Sequence, residues 1–277
     1  MPITNWRKWR EQFFDHVILI TGALVMMLPV YAHFASTTHA PGTRMRPRLD
    51  LGSNTLENYS TFLSASSGFT GDVTALAMLW NSFVLGAGFA GLKVLLSLLA
   101  AYALIYFRVR FATAIFAVLL LTLMLPLESR FLPTYEVVAN LGLVNTRSGL
   151  ILPLVASGLG TLFFRQFLLT IPDTLLESSR LDGAGPWKFL KDILLPLSLP
   201  TAAALFLVTF VNGWNQYLWP VIVTSEESSY TVVRGLQFFG FASLSGMMLT
   251  VIAILPPAVL VILFQRQVVK GLFDGSH

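Results

Sequence analysis

The sequence predicts an all-α protein that crosses a membrane several times. Hydrophobic residues make up 55% of its 277 residues and charged residues only 12%, whereas soluble domains usually carry ~25% charged residues. The mean hydropathy is +0.71. The apolar residues gather in runs that approach or exceed the roughly 20 residues a spanning helix needs. These observations exclude an ordinary soluble enzyme and a disordered chain.

Six apolar runs follow one another along the chain. The predicted spans are residues 17–35, 79–107, 111–127, 150–164, 197–223 and 247–264. Pro126, Pro133 and Pro153 interrupt the third and fourth runs, and residues 166–171 can extend the fourth run past Arg165. The first run follows basic residues, as a signal peptide does, but it exceeds the usual apolar core of about 7–15 residues and lacks a cleavage site. A retained helix is therefore predicted.

The basic residues predict the orientation of the chain. Six spans put both termini on one side of the membrane; that side carries eleven Lys and Arg, the opposite side carries six, and Lys93 lies within the second span. The positive-inside bias therefore places both termini in the cytoplasm. Because the basic residues are scattered between apolar runs, the net charge of +4 indicates membrane orientation and no nucleic-acid partner. Residues 1–277 are read as a single membrane domain.

Motifs for catalysis or cofactor binding are missing from the sequence. It has no Cys, which excludes thiolate metal sites and a Cys nucleophile. It has no Gly-x-x-x-x-Gly-Lys-Ser/Thr loop for nucleotide phosphates, and its four His have no metal-like spacing. We therefore predict a protein that is not an enzyme, with no catalytic residues, no metal site and no cofactor bound by this chain.

The segment of residues 172–196, between the fourth and fifth spans, carries helix signals. Thr174 and Glu177 fit a capping box, Gly183 fits the left-handed residue that ends a helix, and Pro186 suits the first turn of a second helix. The two predicted helices cover residues 175–182 and 186–195. Because a two-turn helix is marginal alone, it either packs on a partner or lies on the membrane as an amphipathic connector.

This segment resembles the EAA loop of bacterial ABC import permeases. The family pattern is Glu-Ala-Ala, three residues, Gly, then a distal Ile-x-Leu-Pro. The chain reads Glu177-Ser-Ser-Arg-Leu-Asp-Gly-Ala184, followed by Ile193 and Leu195-Pro196, so Ser178 and Ser179 replace the two Ala residues. Further stretches are similar to carbohydrate-uptake permeases of this family, among them the importers of glycerol-3-phosphate. They are residues 123–130, 136–140, 163–167, 213–220 and 265–272.

The resemblance implies a type I ABC importer permease fold in the bacterial cytoplasmic (inner) membrane. It implies a second homologous permease subunit, two ATPase subunits that bind ATP-Mg, a periplasmic or surface solute-binding protein, and surrounding lipid. The substrate implied is sn-glycerol-3-phosphate or a glycerophosphodiester, with a neutral sugar or oligosaccharide as the alternative. The residues implied to dock the ATPase are Glu177, Ser178, Ser179, Asp182, Gly183 and Ala184.

Lys93 is the one charge deep inside a predicted span, where such a residue is unfavourable by roughly 2.5–3.5 kcal/mol. One hypothesis is that Lys93 faces the substrate pathway and balances Glu128 or a substrate phosphate. The alternative is a structural ion pair or a side chain that reaches the interface. Cationic contacts to a phosphate are available from Lys93, from Arg130 or from the partner subunit.

The fifth span carries polar and aromatic residues that suit a polyol: Asn212, Trp214, Asn215 and Gln216. Amides hydrogen-bond hydroxyls, and flat rings pack against C–H faces. Helical spacing predicts that residues 212, 215, 216 and 219 share one face. The alternative is an aromatic belt at the membrane boundary, to which we assign Trp219.

The sequence argues against two other classes of protein. An ion-gradient transporter predicts acidic residues at mid-membrane and an internal repeat, and neither is seen in the sequence. A membrane-bound scaffold or enzyme needs a soluble domain or a catalytic constellation, and the sequence offers neither.

Overall fold

The computed structural model describes residues 3–42, 47–67, 71, 73–107, 109–240 and 243–273, with side chains described except at 3–11, 127–128 and 268–273. The predicted all-α class is confirmed, since the strands among these residues are one antiparallel pair, β1 (Ser66–Ser67) and β2 (Val73–Thr74). The chain forms two compact units: Met1–Ala65 with Leu236–Ala253, and Ser66–Gly235 with Ile254–His277.

The helices follow the apolar runs, with more breaks than the sequence suggested. In chain order they are α1 Ile3–Thr37, α2 Thr55–Ser64, α3 Ala75–Tyr106, α4 Ala112–Leu121, α5 Leu127–Asn140, α6 Arg147–Val155, α7 Gly158–Leu168, α8 Asp173–Leu181, α9 Pro186–Phe189, α10 Leu195–Trp214, α11 Leu218–Val223, α12 Val232–Phe239 and α13 Leu244–Phe273. Among the described residues, four stretches are long and apolar enough to cross a membrane. They are Gln12–Thr37, Ala75–Tyr106, Pro186–Trp214 and Leu244–Gln267.

The third and fourth predicted spans are bent rather than straight. Ala112–Met124 meets Ser129–Asn140 at 107°, and α6 meets α7 at 52°. Counted as one span each, these two pairs bring the number of spans to the six predicted. The second break has a local cause, because Ser157 is extended (φ −148°) and its hydroxyl accepts the N–H of Gly160 as the cap of α7.

The fifth predicted span is wrong at both ends. The helix that begins at Pro186 does not stop at Leu195: it continues to Trp214 through one wider turn, in which the Leu195 N–H donates to the Leu190 carbonyl five residues back. The helix then ends at Trp214 instead of reaching Val223. Residues Asn215 to Tyr217 separate it from the short helix α11.

In the first unit, α2 packs at the end of α1. The buried Asn58 amide donates to the carbonyl oxygens of Thr37 at 2.8 Å and His39 at 2.7 Å. The Thr37 carbonyl ends the helix and has no partner within it, so Asn58 satisfies it and also holds the segment that follows α1 through His39. The ring of Phe62 meets Phe239 edge-on at 5.6 Å.

In the second unit, α3 is the central helix and packs against α6, α7 and α10. It crosses α10 where two glycines meet: a Cβ on Gly213 would lie 3.1 Å from the Gly86 Cα and 2.7 Å from Cδ1 of Phe89. Small residues at a crossing allow this close approach of two backbones in a membrane. One buried cluster lies around Phe89 and Trp219, and another around Phe164 and Phe189.

Candidate functional site

The loop helix α8 ends in a Schellman motif at Gly183. That residue has φ +72°, its N–H donates to the Arg180 carbonyl at 3.0 Å, and the Ala184 N–H donates to the Ser179 carbonyl at 2.9 Å. This pair of bonds satisfies the last carbonyls of the helix. The prediction that Gly183 is the left-handed terminator is confirmed.

The predicted start of this helix is wrong. α8 begins at Asp173, Pro172 precedes it, and no side-chain hydrogen bond caps it. Thr174 therefore lies inside the first turn, where its hydroxyl cannot act as an N-cap to Glu177. The Asp173 carboxylate lies in the first turn instead, where negative charge favours the helix dipole.

The residues predicted to dock an ATPase divide into two groups. Glu177, Ser178, Asp182 and Gly183 are exposed, and Ala184 is half-buried. Ser179 is 4% exposed and its hydroxyl donates to the Leu176 carbonyl at 2.8 Å, so this side chain faces its own chain. Two large apolar side chains nearby are exposed, Leu181 at 88% and Trp187 at 70%. An exposed apolar pair of this kind is typical of an interaction surface.

A hydrogen bond from Tyr102 joins the end of α3 to the start of α9, which follows α8. The Tyr102 hydroxyl donates to the Pro186 carbonyl at 2.8 Å. Its ring lies 5.3 Å from Tyr106, which in turn lies 5.4 Å from Phe189. Sequence reasoning missed this cluster, although Tyr102 and Tyr106 are spaced i, i+4 near the end of a predicted span and so share one helix face.

A cavity of about 290 Å³ lies between α3, α7 and α10, and we call it the α10 cavity. Lys93 lines it from α3, and its Nζ lies 4.1 Å from the centre of the Phe89 ring. The α10 side chains that line it run from Thr201 to Asn212 and include Thr209, and Gln216 follows the helix end. The cavity thus extends along α10 from Gln216, just past the end of the helix, back to Thr201 near its start.

A second cavity, of about 230 Å³, adjoins the first, and we call it the α5 cavity. Its distinctive polar lining consists of Thr122, Arg130 and Thr134, contributed by α5 and the turn before it. Five residues line both cavities: Phe89, Lys93, Ser157, Leu159 and Gln216. Lys93 and Ser157 therefore lie at the junction of the two spaces.

The structure brings together three of the five predicted pathway residues. Lys93, Asn212 and Gln216 line the α10 cavity, whereas Trp214 is 2% exposed and stacks on Phe210 at 5.8 Å. Asn215 is the C-cap residue that follows Trp214, the last residue of α10. The prediction of one helical face through residues 212, 215, 216 and 219 is wrong, because the helix stops before Asn215.

The belt assignment of Trp219 is also wrong. Its side chain is fully buried, its Nε1–H donates to the Leu150 carbonyl at 3.2 Å, and its ring lies 5.6 Å from Phe131. It therefore belongs to the protein interior. Glu128, predicted as a partner of Lys93, lies outside the described side chains.

Comparison with known proteins assigns the family. Residues 82–274 match the family described as the binding-protein-dependent transport system inner membrane component. The chain belongs to this family. The permease is thus a multi-pass component of the inner membrane that takes part in transport and is not an enzyme, and it works with an ATPase and a solute-binding protein. Membership of this family excludes the two other classes considered, an ion-gradient transporter and a membrane-bound enzyme.

Curated relatives match the permease over nearly its whole length. A protein of Rhizobium meliloti (strain 1021), named sn-glycerol-3-phosphate transport system permease protein UgpE, is 42% identical over 99% of this chain and 97% of the relative. The protein of the same name from Brucella melitensis biotype 1 is 40% identical over 94% of this chain and 95% of the relative. The protein of the same name from Yersinia pestis bv. Antiqua is 42% identical over 95% of this chain and 96% of the relative.

A solved structure confirms the fold. The permease is similar to a chain of a bacterial ABC transporter involved in the import of the acidic polysaccharide alginate, with a TM-score of 0.73. The similarity covers 94% of this chain and 97% of that chain at 18% sequence identity. The predicted type I importer permease fold is therefore confirmed.

Proposed function

We propose that the permease is a membrane subunit of an importer for sn-glycerol-3-phosphate or glycerophosphodiesters. The observation that carries the proposal is the 40–42% identity, over nearly the full length, to relatives that bear this substrate in their names. The cavities agree in chemistry, because hydroxyl, amide and cationic side chains line them. No Asp or Glu stands among the described residues that line either space.

A neutral sugar or oligosaccharide is the second candidate. The amides of Asn212 and Gln216 with the Phe89 ring in the α10 cavity offer the contacts that a polyol or sugar ring needs. This candidate leaves the charge of Lys93 without a role in binding.

The proposed assembly contains this permease, a second homologous permease, two ATPase subunits and a solute-binding protein. ATP-Mg binds to the ATPase subunits, and this chain binds no cofactor of its own. Both termini lie in the cytoplasm, as the excess of basic residues on their side supports. The whole chain, 1–277, acts as one permease domain.

In this assembly, residues 172–196 form the coupling segment that enters a groove of the ATPase. The docking residues are Glu177, Ser178, Ser179, Asp182, Gly183 and Ala184. The exposure of most of these residues, with Leu181 and Trp187 beside them, supports this role. Closure of the ATPase dimer on ATP moves α8, and the permease pair changes from inward-open to outward-open. Hydrolysis and product release restore the inward-open state.

The proposed pathway runs through the α10 cavity. Lys93, Asn212 and Gln216 contact the substrate. Trp214 and Asn215 stabilise the C-terminal end of α10 beside the substrate. The hydrogen bond from the Asn215 N–H to the Val211 carbonyl, at 3.0 Å, supports this structural role by closing the last turn of the helix.

Uptake into proteoliposomes tests the function. The vesicles contain the permease with its partner permease, ATPase and binding protein, and receive labelled sn-glycerol-3-phosphate, a glycerophosphodiester or a neutral disaccharide, with or without ATP. We expect ATP-dependent accumulation of the phosphorylated compounds alone. Uptake of the disaccharide alone would move the substrate to sugars and refute the proposal.

Single cysteines test the orientation, because the chain has no native Cys to replace. Thr170→Cys lies in the exposed turn before α8, outside the coupling segment, and Ser53→Cys lies in the exposed segment before α2. With a membrane-impermeant maleimide on intact spheroplasts, we expect Ser53→Cys to react and Thr170→Cys to react only after lysis. The reverse pattern would show that the termini are outside.

A further inference from the structure

The two joined cavities of the second unit differ in chemistry. The α5 cavity has the cations Lys93 and Arg130, with the hydroxyls of Thr122 and Thr134 beside them. The α10 cavity has one cation, Lys93, together with the amides of Asn212 and Gln216 and apolar side chains of α10. One end of the joined space thus suits an anion, and the other end suits hydroxyl groups.

The two cationic side chains that line the α5 cavity, Lys93 and Arg130, favour the binding of an anion. An uncompensated cation inside a membrane span is unfavourable, and two cations that line one small cavity repel each other. No carboxylate stands among the described side chains that line the α5 cavity. The carboxylate nearest in sequence, Glu128, lies outside the described side chains and is therefore included in the experimental test.

The cavities also limit the size of the ligand. Their volumes of about 290 and 230 Å³ fall below the ~300–1,000 Å³ of pockets that bury drug-sized molecules. A three-carbon phosphate ester needs one small space for the phosphate and one for the hydroxyls.

We propose that the α5 cavity is a phosphate subsite in which Lys93 and Arg130 bind the phosphoryl oxygens, while Asn212 and Gln216 in the α10 cavity bind the hydroxyl-bearing end. This inference rests on the proposed function and deepens it. Lys93 lies at the junction of the two cavities and shares the lining of the α5 cavity with Arg130, so it contacts the phosphate end of the ligand. Arg130 is the specificity residue, since its planar guanidinium can bind two phosphate oxygens at once. The neutral alternative is thereby disfavoured.

The test compares a phosphomonoester with a phosphodiester in the reconstituted importer at saturating binding protein. The probes are labelled sn-glycerol-3-phosphate and sn-glycero-3-phosphoglycerol. The variants are Lys93→Gln and Arg130→Gln, with Lys93→Arg as the charge-retaining variant. Arg147→Gln is the matched control, because Arg147 lines a separate cavity of the same unit.

We expect Lys93→Gln and Arg130→Gln to lower the ratio of monoester to diester uptake by about tenfold, since one charged hydrogen bond of the more highly charged ligand is lost. Lys93→Arg is expected to restore the ratio, and Arg147→Gln to leave it unchanged. A proportional loss for both substrates, or no loss, would overturn the inference. Arg130 is exposed in this chain, so Arg130→Gln carries the test if Lys93→Gln does not assemble.

Two further outcomes separate the explanations. If Glu128→Gln lowers the ratio of monoester to diester uptake as much as Lys93→Gln does, Lys93 pairs with Glu128 and the phosphate subsite is refuted. If the wild-type importer accumulates neither phosphate ester, the proposed function itself fails. If the wild type imports the phosphate esters and the variants keep the same ratio of monoester to diester uptake, the phosphate subsite is refuted but the proposed function stands.

Discussion

The crossing of α3 and α10 predicts that Gly213→Ala destabilises the permease. The new Cβ would lie 2.7 Å from Cδ1 of the buried Phe89 ring and 3.1 Å from the Gly86 Cα, whereas carbon atoms prefer about 3.5–4.0 Å. Overpacking of this kind is unfavourable by about 1–3 kcal/mol, and the better helix propensity of Ala returns roughly 0.5–1 kcal/mol. We expect a net loss of up to about 2.5 kcal/mol.

Gly91→Ala is the matched control. Gly91 lies on α3, and a Cβ added there would meet no atom of the described chain within 4 Å, so the propensity gain should appear alone, about 0.5–1 kcal/mol. The assay is the apparent Tm of the purified full-length permease in detergent, where each kcal/mol corresponds to roughly 2–4 °C. Phe89→Leu in the Gly213→Ala background should recover part of the loss. A Gly213→Ala protein that melts at or above the wild type would refute the steric argument.

Three further predictions concern side chains and turns outside the cavities. Tyr102→Phe removes the hydrogen bond to the Pro186 carbonyl, worth about 0.5–1.5 kcal/mol, and should lower the amount of substrate imported per ATP hydrolysed. Gly183→Ala places a side chain at φ +72°, unfavourable by about 1–2 kcal/mol; less ATPase should co-purify, while Gly185→Ala, at φ −72°, should behave as wild type. Arg234→Lys loses the guanidinium contacts at 3.0 Å to two carbonyls at the end of α11, so limited proteolysis should cut that region faster.

The sequence was a good guide to which stretches are helical and a poor guide to where helices stop. Apolar runs predicted membrane spans because length and hydropathy are local properties. The end of α10 at Trp214 depends on tertiary packing instead: Trp219 is buried against Phe131 and the Leu150 carbonyl, which requires the chain to leave the helix axis. No local pattern reveals such a contact.

The candidate site shows the same division. Gly183 and Pro186 could be placed from sequence because turn chemistry is local. The grouping of Lys93 with Arg130 and Gln216 around joined cavities could not be placed, because it arises from three separate segments of the chain. The Thr174 cap was wrong because the helix begins at Asp173, two residues before the predicted start at residue 175.

The close contact of Gly86 with Gly213 is the point about which α3 would turn if it rotated against α10. A rotation of α3 against α10 pivots where their backbones touch, so displacement grows with distance from that point. Along the helix, Tyr102 lies about 24 Å and Lys93 about 10 Å from Gly86 at 1.5 Å per residue. For a rigid helix, a movement of ~5 Å at the loop end therefore becomes ~2 Å at Lys93. Such a rotation would therefore convert a large displacement at Tyr102 into a small displacement at Lys93.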